Sequence, residues 1–66
     1  MNLTVNGKEE QYDGLRTVGD LLNALAVPRE RVAVMVNEAV IRRADLDAAE
    51  LRDGDAVEVI TMVGGG

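Results

Sequence analysis

Thr17-Val18-Gly19-Asp20-Leu21-Leu22-Asn23-Ala24-Leu25-Ala26 sets the architecture of this chain. Val18, Leu21, Leu22 and Leu25 fall at i, i+3, i+4 and i+7, one apolar stripe at helical period, with Gly19, Asp20, Asn23 and Ala24 off it. Thr17 suits the N-cap, and Asp20 three residues on supplies the acidic arm of a capping box and favours the positive helix end. Pro28 disfavours helical backbone at Val27, so the helix is expected to stop near there. This is the only good helix, and its stripe must face a sheet. Core packing accounts for it without any further role.

Working outward, the segments on both sides read as strands. Met1, Leu3 and Val5 alternate with Asn2 and Thr4, and Asn6-Gly7 favours the positive φ angles of a type I′ turn. The return, Lys8 to Asp13, is polar enough for a sheet edge. Tyr12, the only aromatic residue, is expected at the rim of the core with its hydroxyl toward water. Beyond the helix, Val32-Ala33-Val34-Met35-Val36-Asn37 alternates again, with Val32, Val34 and Val36 on one face and Ala33 and Met35 on the other. Asn37-Glu38 turns the chain into a short strand, Ala39-Val40-Ile41. Leu46 and Leu51 bracket Asp47-Ala48-Ala49-Glu50, which is too short for a standard helix but suits one turn of α or 3₁₀ under the sheet, with Asp45 as its cap. Asp53-Gly54-Asp55 is a strong turn signal, after which the last strand runs from Ala56 toward Val63.

Composition narrows the functional classes. The chain has 66 residues, no cysteine and no histidine. That removes disulfides, the usual zinc and iron–sulfur sites, thiol nucleophiles and histidine bases. Twelve acidic against seven basic side chains give a formal net charge of −5, which argues against nucleic acid; a solvated acidic exterior accounts for it first, with steering toward a basic partner surface as the alternative. No apolar run reaches the roughly 20 residues of a membrane span, and the N-terminus lacks a signal-peptide pattern, so a cytoplasmic location is expected. No two carboxylates are spaced to pair in a predicted cleft, and no metal site is expected, so an enzyme in its own right is the least favoured reading.

The sequence closes on Gly64-Gly65-Gly66 directly after the last strand. At about 7% glycine usage, three in succession is roughly a 0.0003 event, so chance is a poor explanation. Residues without side chains make a thin thread for a narrow channel. An α-carboxylate at its tip, with a reference pKa of about 3.3 to 3.7, is ionised at neutral pH and able to attack the α-phosphate of ATP. The resulting acyl-adenylate is open to sulfur or an amine, and glycine adds the least crowding there. Residues 1–63 are read as the folded domain and 64–66 as a flexible tail.

The order strand, strand, helix, strand, short strand, turn, strand resembles the ubiquitin-like β-grasp fold. That fold is α+β, a mixed sheet of four to five strands with one main helix on one face and a free C-terminal tail. Val63-Gly64-Gly65-Gly66, with Val36-Asn37, Asp53-Gly54-Asp55 and the brevity of the chain, is similar to the sulfur carrier proteins of thiamine biosynthesis, the ThiS family. The resemblance implies parallel first and last strands at the sheet centre. It also implies that Gly66 is adenylated by a ThiF-type activating enzyme using ATP and magnesium, and that the carrier binds no cofactor itself. Sulfur from a cysteine persulfide, generated by a cysteine desulfurase, then gives a thiocarboxylate, whose sulfur thiazole synthase (ThiG) places in the thiazole ring. Gly64, Gly65 and Gly66 would enter the partner's active site, and the carrier would be a substrate rather than an enzyme. Here one glycine stands beyond the family's usual two.

The strand alternation adds an expectation of its own. If Val57 and Val59 join Val32, Val34 and Val36 beneath the helix, then Ile60 and Met62 lie with Ala33 and Met35 on the uncovered face. Those four residues form a candidate docking patch, adaptable through its methionines. Three other readings stay open: the small subunit of molybdopterin synthase, which resembles a longer chain; another ubiquitin-like sulfur carrier or modifier; and a β-grasp interaction domain with no covalent chemistry.

Overall fold

A computed structural model describes residues 1–62. Strands β1 (Asn2–Val5) and β2 (Lys8–Gln11) form a hairpin, followed by helix α1 (Val18–Leu25), then β3 (Val32–Val36), β4 (Ala39–Ile41) and β5 (Ala56–Thr61). They make one five-stranded sheet in the order β2-β1-β5-β3-β4. β1 and β5 run parallel, and every other pairing is antiparallel. The chain is thus a ubiquitin-like β-grasp domain, with the charged β2 at one edge and β5 in the centre.

The hairpin forms where its turn chemistry placed it. Asn6 and Gly7 sit at φ 51° and 82°, the left-handed pair that a tight hairpin requires and that asparagine and glycine adopt most readily. Asn37 and Glu38 repeat this between β3 and β4, at φ 49° and 71°.

Helix α1 starts as its sequence dictates. The Thr17 hydroxyl accepts from the Asp20 N–H at 3.2 Å, and the Asp20 carboxylate accepts from the Thr17 N–H at 3.1 Å. The other free N–H groups of the first turn go to a distant segment. Val18 donates to the Ala49 carbonyl and Gly19 to that of Leu46, each at 2.9 Å. The first turn is therefore satisfied in full, half by its own cap and half by residues 46–49.

The helix stops near Val27 as expected, its last residue being Leu25; the close is made by Ala26, which turns left-handed at φ 57° while its N–H and that of Val27 return to the Asn23 and Leu22 carbonyls. That is a Schellman closure with alanine where glycine is usual. Gly19 lies buried beside the helix stripe, close against Asp47 and Arg29, so that face is wider than its periodicity indicates. A 3₁₀ turn at Arg43–Asp45 precedes Leu46, with Asp45 inside it and no side-chain cap, and the expected single turn follows, where the Asp45 carbonyl accepts from the Ala48 and Ala49 N–H groups at 3.0 and 2.8 Å. Leu46 and Leu51 need a path that buries both, and the turn before them supplies it.

The core lies between α1 and one face of the sheet. Leu3, Val18, Leu21, Leu22, Val34, Leu46, Leu51, Val57 and Val59 are buried, with Leu25, Val32 and Val36 packed around them. Tyr12 is half-buried at the rim, its hydroxyl 3.3 Å from the Glu10 carboxylate.

Candidate functional site

Pairing register decides what the uncovered face of the sheet presents. Val34 is opposite Val59 and Val36 opposite Val57, all toward the helix, so the intervening pairs Ala33–Ile60 and Met35–Glu58 point away from it. Met62 continues that alternation one residue past β5, its N–H donating to the Arg31 carbonyl at 2.7 Å. The structure thus places Ala33, Met35, Ile60 and Met62 on one outer face. Ile60 and Met62 are 48% and 53% exposed, while Ala33 and Met35 are half-buried.

The same face carries residues that sequence reasoning passed over. Val40 lies opposite Met35 and is 70% exposed, so β4 extends the apolar surface by a third large side chain. The signal was available, since Ala39-Val40-Ile41 alternates, but its register against β3 was needed to assign Val40 to a face. Met35, Asn37, Glu38, Ala56 and Glu58 line a shallow depression of about 310 Å³ on this side. It combines an apolar floor with carboxylates, in keeping with the acidic balance of the chain.

β5 is held in place by side chains as well as by strands. The Asn6 amide mimics a peptide group, accepting from the Val59 N–H at 2.8 Å and donating to the Val59 carbonyl at 3.2 Å. It extends the β1 ladder by one rung after the backbone has turned away. At the other end, Asn37 Oδ1 accepts from the Ala56 N–H at 3.0 Å and its Nδ2 donates to Asp55 at 2.9 Å. Both asparagines stand in left-handed turns, which aim their side chains at β5.

The perturbed carboxylates lie elsewhere and serve the fold. Asp20 is held below the usual carboxylate range by the Arg16 and Thr17 N–H groups it accepts. Asp47 is lowered by the hydrogen bond from Arg29, 2.7 Å away. Glu10 is lowered by its contact with Lys8, 3.1 Å away. Among the described residues no group of acidic side chains is gathered to hold a metal ion, and no helix is long and apolar enough to cross a membrane. The expectations for Gly64, Gly65 and Gly66, and the domain boundary after Val63, lie outside the described residues.

The structure defines a β-grasp domain with an uncovered apolar face beside its central strand β5. The ThiS family model matches residues 3–66. The chain belongs to the ThiS family. Over the whole of both chains it is 48% identical to a thiamine biosynthesis protein (ThiS) from Geobacter metallireducens, whose crystal structure superposes with a TM-score of 0.83. The sulfur carrier protein ThiS of Thermus thermophilus is 34% identical over 94% of this chain and 95% of its own. A thiazole synthase from Paramagnetospirillum magneticum matches all 66 residues at 33% identity. The chain spans only about one fifth of the length of that synthase, and of a second one from Magnetococcus marinus.

Proposed function

We propose that the chain is a cytoplasmic sulfur carrier for the thiazole ring of thiamine, with the carboxylate of Gly66 as the carrying group. A carboxylate oxygen attacks the α-phosphorus of ATP, held with magnesium by a ThiF-type activating enzyme, and pyrophosphate leaves. Hydrosulfide, released when a reducing thiol cleaves a cysteine persulfide, adds to the carbonyl carbon of the adenylate. AMP departs and a thiocarboxylate remains. Thiazole synthase then takes the sulfur. The chain is a substrate at each step and contributes no acid, base or nucleophile beyond its own terminus.

The observation that carries this reading is the extent of the family match, which runs through the glycine run to residue 66. The outer face is assigned to docking on the same reading. Ile60, Met62 and Val40 present apolar surface beside the strand leading to the glycines. Half-buried Met35 and Ala33 supply its floor.

Intact-mass measurement after incubation with a ThiF-type enzyme, ATP, magnesium and a sulfide source tests the chemistry. Exchange of oxygen for sulfur at an otherwise ionised, unreactive carboxylate adds about 16 Da, mapped by fragmentation to Gly66. An unchanged mass, with an enzyme active on its own carrier, would leave a noncovalent interaction domain as the better account.

A further inference from the structure

Besides the outer edges of β2 and β4, the β1-facing edge of β5 is left open at its C-terminal end. In the β3–β5 ladder the Asn37 N–H donates to the Ala56 carbonyl and the Met62 N–H to that of Arg31, both at 2.7 Å. Even-numbered residues of β5 therefore turn their backbone groups toward β3, and odd-numbered ones toward β1. On the β1 side, Asp55 and Val57 accept from the Thr4 and Asn6 N–H groups at 3.0 and 2.9 Å, and Val59 is taken by the Asn6 side chain. The next odd residue is Thr61. Among the described residues the β1 register ends at Val5–Val57 and β3 takes the even-numbered rungs, so no strand of the sheet is aligned with its N–H and carbonyl, and it is exposed.

We propose that this edge at Thr61 is a strand-addition site, filled by an extended backbone segment of the thiazole synthase. It rests on the functional reading above. A partner that covers Ile60 and Met62 also removes water from Thr61. An N–H and a carbonyl desolvated together without partners are costly, and an extended segment offers the matching carbonyl and N–H. Asn6 fixes where pairing starts, because its amide already fills the rung at Val59. The synthase is the occupant because two thiazole synthases contain a match to this whole chain within their own sequences, which places carrier unit and synthase in one polypeptide.

Backbone amide exchange by NMR tests the site, using the full chain alone and with a saturating thiazole synthase that lacks a carrier unit of its own. In the free chain the Thr61 amide should exchange much faster than that of Met62. In the complex it should slow by about tenfold or more. Thr61→Pro removes the donor on the open side only, and should weaken binding by roughly tenfold while Thr61→Ala does not. A complex in which Thr61 still exchanges fast overturns the proposal, whether or not the proline variant folds. So does protection in the free chain that grows with concentration, which would put a second copy on the edge. Failure to form any complex with a synthase shown to be active rejects the functional reading, and the strand-addition site falls with it.

Discussion

Along β5, Val57 and Val59 lie 1% and 9% exposed beneath α1, while Ile60 points the other way and is 48% exposed. One strand thus serves two purposes with a single alternation. Fully burying a valine or leucine contributes about 1.5–3 kcal/mol, and a chain of this size buries only about 60% of its unfolded surface. Leaving Ile60, Met62 and Val40 outside forgoes stabilisation that a small domain needs. The inner face accounts for stability. The outer face, in the proposed reading, accounts for recognition. Substitutions should therefore separate the two.

The largest effect on stability is expected on the inner face. Leu22→Ala should cost about 2–5 kcal/mol, set against a total of roughly 3–10 kcal/mol for a chain of this length. Thermal or denaturant melts measure it directly, and an unchanged midpoint would break the assignment of α1 to the core. Asn6→Gly comes next. Glycine keeps the left-handed turn but deletes both amide bonds to Val59, so a loss of about 1–2 kcal/mol reports the clamp and not the turn.

Thr17→Ala removes the N-cap acceptor and should cost about 1 kcal/mol. Its partner Asp20 adds a pH dependence of known sign. Its carboxyl is more acidic in the folded chain than in the unfolded one, where it lies near the reference value of about 3.9. The stabilisation is complete above that value and disappears as pH falls through the lower, folded one. Melts across the acid range should lose part of their slope in Asp20→Asn.

The smallest effect on stability belongs to the outer face. Ile60→Asp and Met62→Asp should each shift stability by no more than about 0.5 kcal/mol while weakening binding to the activating enzyme and the synthase. Titration calorimetry checks both. Affinities equal to the unsubstituted chain would mean that the exposed apolar residues have no docking role, and the contrast between the faces would reduce to ordinary surface composition.

Local chemistry was legible wherever one residue answers to near neighbours. The Thr17–Asp20 capping box spans three residues, Asn6-Gly7 turns the chain on its own φ preference, and period-two alternation put Val57 and Val59 on one face and Ile60 on the other. The patch of Ala33, Met35, Ile60 and Met62 followed from that alternation, and all four share the outer face. Val40 was missed because a three-residue strand has no face until its register with β3 is known. The left-handed end at Ala26 was missed for a different reason: alanine carries no signal for that conformation, and the Schellman bonds compensate its cost.

The sequence by itself determined the order of elements, the two hairpin turns, the helix start and which side chains share each strand face, because all of these depend on contacts a few residues apart. Only the tertiary structure decided that residues 46–49 complete the helix N-terminus, that Asn6 reaches Val59 across the sheet, and that the edge at Thr61 stays open. Those contacts join residues dozens of positions apart. They exist only once strand register is fixed, and register is a property of the assembled sheet.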